Sequence, residues 1–74
     1  MSVIIEIDEP ELLPELMAWL RAADCCAVPI SSHACRVVHL EAETVNEALC
    51  ELRFSARAWA GLHGAVGVHL RPAA

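Results

Sequence analysis

The chain has 74 residues, of which 57% are hydrophobic, and it carries a net charge of −5 with no lysine. A chain of this length makes one domain, residues 1–74, and its apolar content excludes a disordered segment, which needs low hydrophobicity. The acidic balance is the opposite of the cationic surface that neutralises phosphates, so we expect neither nucleic acid nor an anionic membrane as a partner.

The start of the chain, MSVIIEIDEPE, predicts no targeting or membrane segment. It lacks the positive residues and the apolar run of a secretory signal. Acidic residues such as Glu6 and Asp8 interrupt the first apolar stretch, which is then too short to cross a bilayer. We therefore expect a cytoplasmic protein whose cysteines stay reduced.

The first half of the chain predicts a strand, a helix and a hairpin. Residues 3–8 alternate as a strand, and residues 11–24 place one apolar stripe along a helix. The members of that stripe are Leu12, Leu16, Trp19, Leu20 and Ala23. Residues 26–31 are typical of an edge strand, because Pro29 cannot donate to a ladder, and residues 35–41 supply the return strand.

The second half predicts a long helix and a final strand. Thr44 and Glu47 form a T-x-x-E capping box at the start of the helix. Its buried stripe is expected to consist of Val45, Leu49, Leu52, Ala56 and Trp59. Residues 65–71 alternate as the last strand. The order β-α-β-β-α-β resembles the ferredoxin-like arrangement, an α+β fold with a four-stranded antiparallel sheet in the order 4-1-3-2 and both helices on one face.

Three cysteines and a histidine lie within the segment CCAVPISSHAC, residues 25–35. In the predicted topology the second strand separates Cys25 and Cys26 from Cys35 by roughly 17 Å, which is too far for one metal ion or one disulfide. Packing is the expected role of Cys25 or Cys26, because cysteine is often buried. A reactive thiol, if present, is expected at Cys50 or Cys35.

A different set of metal ligands stays open as an alternative. His63, at the end of the second helix, is expected near the hairpin that carries His33 and Cys35. Two imidazoles and a thiol, completed by water, match the ligands of a catalytic zinc. Our first prediction is that the protein uses no cofactor, and the alternative is zinc at these three residues.

The predicted helices leave one face of the sheet uncovered. That face is expected to display Ile4, Val37, Glu6, His39 and His69. Phe54 is expected on the outer side of the second helix, away from the core. Apolar groups exposed on so small a domain indicate a partner, often a second copy.

Several families with a similar outline carry motifs that can be checked in this chain. RNA-recognition domains stack bases on aromatic residues of strands 1 and 3, and neither predicted strand has one. Copper-chaperone-like domains carry a C-x-x-C after strand 1, and acylphosphatases carry an arginine there, whereas this chain has DEPE. The resemblance is therefore one of topology, and none of these functional motifs is present in this chain.

These features favour a noncatalytic interaction or regulatory module that forms a homodimer, or binds another protein, through its open sheet face or an edge. Ile4, Val37 and Phe54 are the residues expected at that interface. The first alternative is the handling of zinc or thiols by the histidine and cysteine cluster. The second is a small enzyme with a cavity between the two sheets of a dimer, in which Glu6 and the histidines His39 and His69 act as base and orienter.

Overall fold

The computed structural model describes residues 2–73, which form an antiparallel sheet and two helices. The strands are β1 (Val3–Ile7), β2 (Cys25–Ser31), β3 (Ala34–His39) and β4 (Val68–Pro72), and the helices are α1 (Leu13–Ala22) and α2 (Val45–Leu62). The sheet order is β2-β3-β1-β4, which is the predicted order 4-1-3-2 counted from the opposite edge. The prediction of a small α+β domain with a four-stranded antiparallel sheet is confirmed.

The helices bury one face of the sheet. In β1 the side chains of Val3, Ile5 and Ile7 are buried, whereas Ile4 and Glu6 between them keep part of their surface in water. The helices cover the buried side with Leu16, Leu20, Leu52 and Trp59, and β3 adds Cys35 and Val37. Burial of this apolar surface is the main source of stability, at roughly 25 cal/mol per Å².

Helix α1 begins after a short 3-10 turn, Pro10–Leu12. Its second residue is Pro14, a position where a missing N–H costs no helical hydrogen bond. The buried residues are Leu13, Leu16, Met17 and Leu20, so two members of the predicted stripe, Trp19 and Ala23, lie outside the core. Trp19 is 36% exposed and its Nε1 donates to the Ser55 Oγ of α2 at 2.9 Å, because an indole at the core margin can keep its N–H bonded to a polar group.

Helix α2 has a defined cap at each end. The Thr44 Oγ1 accepts from the Glu47 backbone N–H at 3.0 Å, which is one of the two hydrogen bonds of the predicted capping box. At the other end Gly64 has φ +76°, and the Ala65 N–H donates to the Ala60 carbonyl at 2.8 Å. That pattern is a Schellman motif with glycine in the left-handed position.

Among residues 2–73, no helix is both long and apolar enough to cross a membrane.

Replacing Thr44 with alanine is expected to lower the free energy of unfolding by about 1 kcal/mol, because the Glu47 N–H loses its acceptor. Urea denaturation measures this loss, and Thr44→Ser, which keeps the hydroxyl, is the matched control and should be about as stable as the natural chain. Equal stability of the alanine and serine variants would show that the cap contributes nothing.

Candidate functional site

The cross-strand register decides which side chains face away from the helices. Ile4 lies opposite Arg36 of β3 and opposite Arg71 of β4. Arg36 in turn lies opposite Val28 of the edge strand β2. Because paired residues of antiparallel strands point to the same side of a sheet, these four side chains form one row across the uncovered face.

Two further cross-strand pairs flank this row. Cys26 lies opposite Val38, and Glu6 lies opposite His69. The uncovered surface, here called the open face, therefore consists of Ile4, Glu6, Cys26, Val28, Arg36, Val38, His69 and Arg71. Its apolar side chains, Ile4, Val38 and Val28, all keep exposed surface and are here called the apolar strip; Arg36 lies between Ile4 and Val28 in the row.

The charged groups of the open face are only partly paired. The Arg71 Nη2 lies 3.5 Å from the Glu6 Oε1, and the His69 Nε2 lies 3.4 Å from the Asp8 Oδ1. Arg36 is exposed and forms no ion pair with any residue of the described part of the chain. The open face thus has an apolar strip, one acidic group and an arginine without an acidic partner.

Two residues that were predicted for the open face lie on the opposite side of the sheet. Val37 is 0% exposed and lies opposite Val3 in the core, so the prediction that it forms an interface was wrong. His39 lies opposite the buried Cys25, on the helix side, so its predicted placement was wrong as well. A shift of one position in a strand moves every side chain to the other face. The structure turns Arg36 outward because its charge is more stable in water than in the core.

Phe54 is 80% exposed on the outer side of α2, as its position in the helix predicted. It does not belong to the open face. Together with Trp19, Cys25 and His39 it lines a groove of about 250 Å³ between the two helices. The residues proposed for an interface from sequence therefore lie on separate surfaces.

His63 is held by contacts within the helical layer. Its ring stacks on Trp59 with a centroid distance of 4.3 Å, and its Nδ1 lies 3.1 Å from the Trp59 carbonyl oxygen. Its Nε2 lies 3.0 Å from the Glu15 Oε2 of α1. Both ring nitrogens therefore contact groups of α1 and α2, whereas the sequence predicted contacts with the hairpin between β2 and β3.

The other two residues of the proposed zinc site form no metal-binding group with His63 in the described part of the chain. The Cys35 thiol is fully buried, and burial raises its pKa to about 11. His33 is exposed in the turn between β2 and β3, with its Nδ1 3.4 Å from the Ser32 Oγ. Within residues 2–73, no group of three or more His, Cys, Asp or Glu side chains is arranged to hold a metal ion.

The predicted catalytic trio does not converge either. Glu6 and His69 are cross-strand neighbours on the open face, but His39 lies on the other side of the sheet. The nearest charged partner of Glu6 is Arg71, and that of His69 is Asp8. An acid–base pair that is oriented by a third member is absent from this arrangement.

The four cysteines divide into two classes, and all of them are free thiols. Cys25 and Cys35 are buried, which confirms packing as the role of Cys25 and contradicts the prediction of Cys35 as a reactive thiol. Burial, followed by the negative charge of Asp24, raises the pKa of Cys25. Cys26 and Cys50 are exposed.

The outer edge of β2 is blocked against another strand. Pro29 has no N–H, so Pro29 and Cys35 form a cross-strand pair without mutual hydrogen bonds. Bonded and non-bonded pairs alternate along antiparallel strands, so Ala27, two residues earlier, is also in a non-bonded pair. The N–H and carbonyl of Ala27 therefore point away from β3. The Arg21 Nη2 donates to that carbonyl at 2.7 Å. The sequence indicated the proline but gave no sign that Arg21 closes the same edge.

The open face carries both apolar and charged side chains on the side of the sheet that the helices do not cover. Neither the metal ligands nor the catalytic trio assemble elsewhere in the described residues. The chain matches no protein-family model, no curated protein and no solved structure.

Proposed function

We propose that the protein is a noncatalytic interaction or regulatory module with a ferredoxin-like fold, and that it forms a homodimer through its open face. The observation that carries the proposal is the apolar strip of Ile4, Val28 and Val38 on a sheet that is covered on one side only. Removing such a strip from water is the general driving force for association.

The charges of the open face favour a second copy as the partner. A two-fold dimer brings the same surface together from both copies, so the surface must be complementary to itself. The open face carries both signs, with Glu6 on one side of Ile4 and Arg36 opposite Ile4. A rotated second copy can place its Glu6 carboxylate near Arg36, which forms no ion pair within residues 2–73.

The closed edge of β2 also supports a contact through the face. Native proteins protect exposed strand edges from pairing with other chains, and a proline is one common device. Here Pro29 removes a donor and Arg21 occupies the Ala27 carbonyl. Association through β2 would have to break the Arg21 hydrogen bond, whereas association through the open face breaks none of these bonds.

The dimer is expected to be weak and concentration-dependent. Strands spaced by about 4.8 Å, with about five residues of about 3.3 Å each, outline a face of roughly 300 Å². A standard interface buries about 800 Å² per partner, which would be about a fifth of the 4358 Å² surface of this protein. The open face is smaller than that, which suits a reversible module better than a permanent dimer.

Ile4→Arg is expected to abolish the dimer. The substitution places a third guanidinium in a row with Arg36 and Arg71, and like charges facing one another in an interface cost several kcal/mol. The dissociation constant should rise by about a hundredfold or more, since each 1.4 kcal/mol is a factor of ten. Sedimentation velocity over a concentration series measures the change, and far-UV circular dichroism confirms that the helices are intact.

Leu62→Arg is the matched control, because Leu62 is exposed at the end of α2 and lies outside the open face. This variant adds the same charge and should dimerise like the natural chain. Phe54→Arg tests the surface on the helix side. A dimer that survives Ile4→Arg but is lost in Phe54→Arg would locate the interface on the helices and would contradict the proposal.

A further inference from the structure

A second surface runs between α2 and the outer edge of β4. It is a groove of about 310 Å³ lined by Arg53, Ala56, Arg57, Ala60, Val66, Val68, His69 and Leu70. Its floor is apolar, its helix side carries two arginines, and no acidic residue lines it. The groove is separate from the apolar strip of the open face, since Val68 and Leu70 pair with the core-facing Ile7 and Ile5.

Two arginines line the helix side of the groove. Arg53 and Arg57 lie four residues apart on α2, so their side chains are neighbours on one helix face. Neither forms an ion pair within residues 2–73, whereas Arg71 contacts Glu6. Two like charges at this spacing destabilise a helix. A bound anion would relieve that repulsion.

The edge of β4 beside this groove offers backbone groups to another strand. The Asp8 N–H donates to the Gly67 carbonyl at 3.0 Å, and the Ala73 N–H donates to the Ser2 carbonyl at 3.1 Å. Hydrogen bonding alternates along an antiparallel pair, so Val68 and Leu70 direct their N–H and carbonyl groups away from β1. Pro72, the next position of this set, has no N–H, so the edge of β4 is open at Val68 and Leu70, whereas Pro29 and Arg21 close the equivalent positions of β2.

The spacing of the two charges matches that of side chains along a strand. Four residues of an α-helix advance by about 6 Å. Side chains on one face of an extended peptide repeat every two residues, or about 6.7 Å. An added strand with an acidic residue at every second position can thus direct consecutive carboxylates at Arg53 and Arg57. Pairing of β4 with the β4 of a second copy is disfavoured, because it would bring together the cationic grooves of both copies.

We propose that this groove binds an extended acidic segment of a partner protein, which adds to β4 as a fifth strand. The Val68 and Leu70 backbone groups would hydrogen-bond to the segment, and acidic side chains two residues apart would pair with Arg53 and Arg57. Main-chain bonds supply affinity in such strand addition, and the alternate side chains supply specificity. The preferred ligand contains an acidic residue, any residue and a second acidic residue.

The test uses a fluorescein-labelled peptide of alternating glutamate and threonine, with fluorescence anisotropy as the readout. R53Q/R57Q should weaken binding about tenfold, the effect of two partly exposed ion pairs, and R53K/R57K should keep most of the affinity. Added salt should weaken binding to the natural chain. R53Q/R57Q should also be at least as stable to heat as the natural chain, because it loses a repulsion rather than a contact.

Two control peptides separate strand addition from simple charge attraction. A lysine and threonine peptide should not bind, and a glutamate and threonine peptide with alternate N-methylated amides should bind much more weakly. Hydrogen exchange at the Val68 and Leu70 amides should slow when the first peptide is added. Equal binding of the N-methylated peptide, or no binding of the first peptide below about 1 mM, would overturn the proposal.

The same experiment distinguishes this site from the proposed dimer. Ile4→Arg should bind the acidic peptide like the natural chain, since Ile4 does not line the groove. If R53Q/R57Q instead becomes monomeric under conditions in which the natural chain dimerises, the occupant of the groove is a second copy. That result would overturn the assignment to a partner protein.

Discussion

Trp59→Ala is expected to lower the free energy of unfolding by about 3–5 kcal/mol, the usual cost of deleting a large aromatic side chain from a core. Trp59 is 1% exposed and is the largest fully buried side chain among residues 2–73. A domain of 74 residues has a total stability of about 4–11 kcal/mol, at about 0.05–0.15 kcal/mol per residue. The variant should therefore lose a large part of its stability and be partly unfolded at 37 °C.

Urea denaturation followed by far-UV circular dichroism measures this loss. Trp59→Phe is the matched control, because it keeps an apolar ring against the core and should lose clearly less than the alanine variant. The loss of Trp59 also removes the ring on which His63 stacks. A loss below about 1 kcal/mol for Trp59→Ala would contradict the packing of α2 on the sheet described above.

The second large effect is a loss of stability in alkaline solution. Burial raises the pKa of Cys35 from 9.0 to about 11, so the native state keeps this thiol protonated. Below pH 9 both the native and the unfolded state hold the proton, and the stabilisation is fully present. Between pH 9 and pH 11 the unfolded chain releases the proton while the native protein retains it. The free energy of unfolding therefore falls as the pH rises, by roughly 2–3 kcal/mol in total.

The composition of the chain removes most other titrating groups from this pH range. It contains no tyrosine and no lysine, so no other common side chain titrates between pH 9 and pH 11 alongside the cysteines. Cys25, whose pKa is also raised, contributes in the same direction. Cys35→Ala is the control: it should be less stable at pH 8 but should lose less further stability on the way to pH 11. Parallel pH profiles for the two proteins would show that Cys35 does not cause the effect.

The local patterns of the sequence predicted the elements well, because each element has its own signals. Thr44 and Glu47 located the start of α2, and the apolar stripe of residues 11–24 located α1 to within two residues at each end. The hydrophobic alternation of VIIEID identified β1 and the inward-facing residues Val3, Ile5 and Ile7. From these elements and the rule of right-handed crossovers, the strand order of the sheet followed correctly.

The candidate site was harder to predict, because it depends on which way β3 faces. In CRVVHLE both alternating sets contain apolar residues, so the pattern alone could not choose between an outward Val37 and an outward Val38. The charge of Arg36 was the signal that could have decided the question. The contacts of His63 with Trp59 and with Glu15 of α1 had no signal in the sequence, because they depend on how the two helices pack.

The closed edge of β2 could be predicted from the sequence only in part. Pro29 marks an edge strand in the sequence itself. The hydrogen bond from Arg21 to the Ala27 carbonyl joins a helix to the strand that follows it, and no local pattern encodes it. The difference between the closed edge of β2 and the open edge of β4 became visible only with the strand register.

The most direct test of the proposed function is sedimentation velocity of the untagged natural chain and of Ile4→Arg, side by side over a series of protein concentrations. We expect the natural chain to shift from monomer to dimer as its concentration rises, whereas Ile4→Arg should stay monomeric throughout. A natural chain that is monomeric up to about 1 mM, or an Ile4→Arg variant that dimerises equally well, would contradict association through the open face.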